Sequence, residues 1–215
     1  MTLEGRRLLG RIAPGSLGLD AGCGRGGSSL MIARATGCSL FGVNVSSYQL
    51  RAARAYAARQ GLSRRVRFVR ADMSRLPFPA RRFDFLWCCE ASEHARDLKP
   101  LLREFARVAK PAARLAIIAW TVDGRGPETE RFRRTIDRAY RTCMHAPRDY
   151  RRAAGRSWRM IREVDWTARA AAYWRLRALS SHRTGAEEYM VPAFGSGMIG
   201  YRLFVYRREN APRST

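Results

Sequence analysis

The stretch CCEASEH, residues 88–94, sets two carboxylates and an imidazole within five positions: Glu90, Glu93 and His94. Side chains of these types take up and release protons, and the imidazole has the best intrinsic pKa for a general base near neutral pH. The stretch continues the apolar run FDFLWCC (83–89), which reads as a buried strand. The loop just beyond a strand end of an open α/β sheet is where ligands bind, so the three groups are close enough to share one pocket rim. Glu93 and His94 equally suit the start of a solvated loop.

A second cluster lies in LDAGCGRGGSS (19–29), where Asp20 and Ala21 precede Gly22, Gly24 and Gly26. Glycine lets backbone approach a ligand closely and tolerates positive φ, although a tight turn from strand to helix uses glycine for the same reason. The spacing differs from the dinucleotide fingerprint G-x-G-x-x-G, and no Gly-Lys-Ser/Thr follows as in a phosphate loop. An acid immediately ahead of the glycines repels a pyrophosphate and suits a cation. A ligand carrying an ammonium and a sulfonium, such as S-adenosylmethionine, answers that description better than a phosphorylated one.

Short apolar runs alternating with longer periodic segments must position these groups. Residues 3–12 read as a brief helix, 16–20 as a strand, about 28–35 as a helix and 39–45 as a strand. Ser46 and Ser47 cap a helix that runs to Gln60 and is closed by Gly61. Strands follow over 66–72 and 83–89, a helix over about 97–109 and a fifth strand over 113–120. Such alternation predicts a doubly wound, mostly parallel α/β sheet with helices on both faces. Beyond Trp120 the pattern changes to helix (128–144), strand (158–166), helix (167–181) and strand (198–209), which makes seven strands in all. The late helices read as a small cap on the sheet, so residues 1–215 are expected to form one domain, with its core at about 13–120 and its cap and last strands at about 121–209.

Composition narrows the partners. Forty-six per cent of 215 residues are hydrophobic, enough for one good core, and no apolar run of bilayer length or signal-peptide pattern occurs, so the protein reads as soluble and cytoplasmic. Five cysteines without metal-ligand spacing, two of them adjacent, read as reduced thiols, and no metal is expected. The net charge of +23 is almost all arginine, the only lysines being Lys99 and Lys110. That charge suits a polyanion, yet arginine-rich usage also follows from GC-rich coding, and a nucleic-acid site needs the charge gathered on one face.

LDAGCGRGGSS resembles the first motif of class I S-adenosylmethionine-dependent methyltransferases, and further matches follow in order. GVNVSSYQ (42–49) resembles the second-strand motif of the sterol, tocopherol and cyclopropane synthase branch, which implies ribose and adenine contacts for Asn44, Val45 and Gln49. VRFVRADMSRLPFP resembles the third motif, with Asp72 and Met73 implied beside the adenine, and RFDFLWCCEASEH the fourth. VDWTARAAAYW (164–174) and GMIGYRLFVYRRE (197–209) look like the late segments of tocopherol C-methyltransferases and related small-molecule enzymes. The resemblance covers nearly the whole chain from Ala13 and implies a Rossmann-like fold with cofactor contacts at Asp20, Ala21, Gly22, Gly24, Gly26, Asn44, Val45, Gln49, Asp72, Met73 and Glu90. Catalytic roles fall to Glu90, Glu93 and His94, with S-adenosylhomocysteine as the product of the cofactor.

Two features depart from the branch. Only about a dozen residues precede the first strand, which implies a more open site or cover from a partner subunit, as in a homodimer. Pro111, Ala112 and Ala113 replace the branch's Pro-Gly-Gly, and because alanine at positive φ costs about 1 kcal/mol a changed turn is expected there.

The cluster of Trp120, Tyr140, Trp158, Trp166, Tyr173 and Trp174 suits core packing, or an aromatic pocket for a flat or prenylated substrate. Arg131, Arg133 and Arg134 suit a solvated helix face, or a grip on a carboxylate or diphosphate. Cys88 and Cys89 lack the Pro-Cys context of a pyrimidine C5 nucleophile and read as buried thiols. The leading expectation is methyl transfer to an aromatic or isoprenoid small molecule in specialised biosynthesis. Its alternatives are a cofactor-binding cyclase or isomerase, an inactive homologue, and an RNA methyltransferase.

Overall fold

A computed structural model describes residues 1–181 and 185–209. Seven strands form one sheet: β1 (Leu17–Ala21), β2 (Ser39–Asn44), β3 (Val66–Arg70), β4 (Phe83–Cys89), β5 (Ala109–Val122), β6 (Trp158–Asp165) and β7 (Ile199–Arg208). Their order is β3-β2-β1-β4-β5-β7-β6. The first five run parallel, while β7 inserts antiparallel between β5 and β6. Eight α-helices accompany them among the described residues: α1 (Thr2–Leu8), α2 (Gly27–Thr36), α3 (Ser47–Arg59), α4 (Leu98–Val108), α5 (Pro127–Tyr140), α6 (Pro147–Ala153), α7 (Thr167–Ala178) and α8 (Glu187–Gly195).

Alternation along the central strands supplies two cores. Phe85 and Trp87 of β4 join the apolar faces of α2, α3 and α8, whereas Leu86 and Cys88 join α4 and α6 on the other side. A parallel sheet buried on both faces explains why these strands read as continuous apolar runs. Strand order reverses between β2 and β4 on either side of β1, so the loops after these strands diverge and open a crevice at their C-terminal ends.

The expected elements are present, with instructive differences at the edges. The expectation of a changed turn before the fifth strand is corrected: Ala112 adopts φ +61°. Pairing of β4 with β5 jumps from Phe83–Ala109 to Phe85–Arg114, and the extra residues, Ala112 among them, are accommodated in that irregularity. Strand pairing on both sides holds a conformation that costs an isolated alanine about 1 kcal/mol. Helix α5 stops at Tyr140 rather than 144, because Arg141 turns left-handed (φ +54°) and Asp137 Oδ1 accepts from Thr142 Oγ1 and the Met144 N–H, each at 2.9 Å. Helices α6 and α8 had no clear sequence signal. The first is short and held by Tyr150 stacked on Phe204 at 4.5 Å, and the second contains Pro192. All five cysteines are free thiols, and no helix among the described residues is long and apolar enough to cross a membrane.

Candidate active site

The first wall of the crevice is the loop from β1 to α2. Gly22 has φ +75°, and a methyl group there would overlap the Ala91 methyl, so this position must be glycine for the loop to meet the segment after β4. The N–H groups of Gly22 and Cys23 both donate to the Val43 carbonyl at 2.9 Å, fixing the loop to β2. Gly24 has φ +53° with open space around it. Asp20 does not face the crevice. It is buried, its Oδ2 accepts from Ser29 Oγ at 2.5 Å, and burial pushes its pKa up to about 6. Ala21 is buried in the sheet, and Gly26 (φ +82°) forms the N-cap of α2. These three therefore shape the loop from behind.

The crevice encloses a cavity of about 700 Å³. Gly22, Gly24, Asn44, Val45, Gln49, Asp72, Met73, Glu90 and His94 all line it, together with Arg96 and Asp97, so one surface unites residues up to seventy-five positions apart. At the end of β2, Asn44 Nδ2 donates to Gln49 Oε1 at 2.6 Å, and Ser46 caps α3 by accepting from the Gln49 N–H at 3.3 Å. After β3, Asp72 Oδ1 accepts from the Ser74 N–H at 2.7 Å. The charged lining is Asp72, Glu90 and Asp97 against Arg96, in a chain of net charge +23. An acidic cavity in a basic protein raises the local concentration of a cationic ligand.

The two glutamates of CCEASEH part company. Glu93 turns inward in the 3₁₀ turn Ser92–His94, where its Oε1 accepts from the Trp120 N–H at 2.8 Å and its Oε2 from Ser92 Oγ at 3.1 Å. It is 2% exposed, and burial pushes it up to about 7. Glu90 opens onto the cavity instead. Its backbone is left-handed (φ +51°), its N–H donates to the Ile118 carbonyl at 2.8 Å, and the Tyr201 hydroxyl donates to its Oε1 at 2.6 Å. Protein atoms crowd the carboxylate although its surface faces the cavity. Burial raises its pKa above the usual carboxylate range, and the bond from Tyr201 offsets part of that rise. His94 lies on the rim with Nδ1 at 3.1 Å from the Arg141 carbonyl. A carbonyl only accepts, so Nδ1 carries the proton of that contact and Nε2 is the basic nitrogen of the neutral ring.

Comparison with known proteins decides the family. Residues 19–117 match the methyltransferase domain family. Geranyl diphosphate 2-C-methyltransferase of Saccharopolyspora erythraea is 33% identical over 93% of this chain and 70% of its own. The chain belongs to the S-adenosylmethionine-dependent methyltransferase family. The probable tocopherol O-methyltransferase of rice is 36% identical over 73% of this chain, which spans about half of that relative (46%). A solved geranyl diphosphate methyltransferase in complex with S-adenosylmethionine superposes with a TM-score of 0.90 at 29% identity, covering 96% of this chain and 84% of that chain. S-adenosylmethionine is the family's cofactor. The residues here fit it, because glycine backbone without side chains lines one wall and three carboxylates face a ligand that carries a sulfonium and an ammonium.

Trp158 and Trp166 are buried core, while Tyr140, Trp120, Trp174 and Tyr173 form an edge-to-face chain with centroids 5.9–6.3 Å apart. Arg133 pairs with Glu130 and Asp137, and Arg134 with Glu130, along their own helix. Burial holds the Cys88 and Cys89 thiols well above their ordinary pKa, so they stay protonated and unreactive. Sequence reasoning missed Tyr201, Arg96 and Asp97. The latter two directly follow the fourth motif and were within reach, but a tyrosine in a late apolar strand carries no local signal.

Proposed function

We propose that this methyltransferase methylates a carbon of an isoprenoid small molecule in specialised metabolism. The observation that carries the reading is Glu90, a partly desolvated carboxylate on an acid-lined cavity at the ends of β1, β2 and β4. The relative that covers 93% of this chain carries the name of a C-methyltransferase acting on geranyl diphosphate, which supports carbon as the acceptor atom and an isoprenoid as its class.

Bound S-adenosylmethionine supplies an electrophilic methyl group on a sulfonium with a neutral leaving group. Gly22, Gly24, Asn44, Val45, Gln49, Asp72 and Met73 hold it, with Asp20, Ala21 and Gly26 shaping the loop. Much of the rate then comes from positioning, worth up to ~7–11 kcal/mol in favourable cases. An alkene carbon that gains a methyl group leaves positive charge on the acceptor, and the C–H electron pair restores the double bond as the proton departs. Glu90 is suited to take that proton, since Oε1 is occupied by Tyr201 and Oε2 makes no hydrogen bond among the described residues. His94 Nε2 on the rim is a second acceptor, which passes the proton to solvent. Glu93 acts through structure, holding the 3₁₀ turn to the end of β5.

An RNA acceptor fits less well, because among the described residues Arg96 is the one arginine on the cavity lining. The free thiols favour a reducing, cytoplasmic setting. Calorimetry with S-adenosylmethionine and S-adenosylhomocysteine, followed by mass spectrometry of geranyl diphosphate and tocopherol-type acceptors, tests the reading. The expected result is binding of both cofactor forms and gain of one methyl group. No binding removes the cofactor assignment, and binding with unchanged acceptor mass points to a cofactor-binding protein without transfer.

A further inference from the structure

We infer that Tyr201, on the antiparallel strand β7, is a positioning residue that orients the Glu90 carboxylate and keeps it ionised for proton abstraction; this rests on the reading of Glu90 as the base. The two residues are 111 positions apart and meet only because β7 inserts beside β5, where Tyr201 pairs with Trp120. Both ends of the contact are fixed by backbone. The Tyr201 N–H donates to Thr167 Oγ1 at 3.1 Å and its carbonyl accepts from the Trp166 N–H at 2.8 Å, while the Glu90 N–H is bound to Ile118. A glutamate has three rotatable side-chain bonds, and a phenol held at 2.6 Å selects one orientation from among them.

The direction of the hydrogen bond follows from the surroundings. Burial, then the Glu90 charge, pushes the Tyr201 hydroxyl far above its ordinary pKa, so it stays protonated and donates. The ionisable groups around Glu90 are Tyr201 on β7, Cys89 on β4, Glu93 in the 3₁₀ turn, Asp20 behind β1, and Asp72, His94, Arg96 and Asp97 across the cavity. Burial favours the protonated carboxyl. Tyr201 is the side chain whose hydrogen bond opposes it.

Tyr201→Phe keeps the buried ring and deletes only the donor. In protein labelled with carboxyl-¹³C glutamate, with Glu90→Gln assigning the resonance, the Glu90 titration midpoint is expected to rise by about one pH unit in Tyr201→Phe. With an acceptor that is turned over, the acid limb of kcat/KM is expected to move up by the same amount, with the rate recovering at high pH. An unmoved midpoint overturns the inference and leaves Glu90's role untouched. A moved midpoint in an enzyme whose methyl transfer survives Glu90→Gln overturns the base reading and, with it, any part for Tyr201 in the reaction.

Discussion

Two cavities in this chain use the same side-chain types to opposite ends. The cavity at the ends of β1, β2 and β4 carries Asp72, Glu90 and Asp97 against Arg96. A second cavity of about 840 Å³, between the ends of β5 and β7 and helices α5 and α6, carries Arg125, Arg133, Arg148, Arg151 and Arg202 against Asp123, Glu130 and Asp149. In the second, charge is met by charge: Arg133 pairs with Glu130 and Asp137, Arg151 with Glu163 at 2.8 Å, and Arg202 with Asp123 and with Asp165 at 2.9 Å. In the first, neutral donors meet the acids: the Ser74 amide at Asp72, the Lys99 amide at Asp97 and the Tyr201 phenol at Glu90. A carboxylate held by neutral donors keeps its charge available to a ligand, whereas an ion pair spends its field on its partner. Arg133, Arg151 and Arg202 thus brace the walls of the arginine-rich cavity, whereas the acids of the other have no ion-pair partner among the described residues.

The strongest challenge to that contrast is at the glycine loop. Gly22→Ala adds a methyl group at positive φ against Ala91, and strain plus overlap is expected to cost about 2–5 kcal/mol and weaken cofactor binding at least tenfold. Urea denaturation and calorimetry measure both; retained affinity would mean that the close approach of loop to Ala91 does not shape the site.

Behind the acidic wall, Glu93 has its pKa raised to about 7 by burial, against about 4.5 unfolded. Stability that it contributes is full below the unfolded value and lost as pH rises through the folded one, by up to about 3 kcal/mol, and Asp20 acts in the same direction up to about pH 6. Wild-type protein is therefore expected to lose stability from pH 5 to pH 8, and Glu93→Gln to flatten that slope in denaturation curves. Equal slopes would place the ionisation elsewhere.

On the other side of the comparison, Arg202→Ala removes the counter-charge shared by Asp123, Asp165 and Glu163. A loss of about 2 kcal/mol with unchanged cofactor affinity is expected. A marked fall in affinity would show that the two cavities are energetically linked.

Much of the site was legible before folding was considered. Gly22, Gly24, Asn44, Gln49, Asp72, Glu90 and His94 reach one cavity because each sits at or within a few residues of the C-terminal end of a parallel strand, and in a parallel sheet all such ends lie on one edge. Asp20 beside the glycines suits a cationic ligand, yet its carboxyl is turned to Ser29: the acids that face the cavity are Asp72, Glu90 and Asp97. Nothing local separates Glu90 from Glu93, three positions apart, since a left-handed residue at Glu90 followed by a 3₁₀ turn sends one carboxylate out and the other in.

Periodicity, glycine placement and motif order by themselves determined the seven strands, the parallel core and the cofactor edge, because each is a short-range property of the chain. Only the tertiary structure decided which carboxylate faces the cavity, which arginines are spent on ion pairs, and that Tyr201 reaches Glu90. Those outcomes depend on burial and on partners brought together by the fold, of which Tyr201 and Glu90, 111 residues apart, become neighbours only when β7 closes against β5.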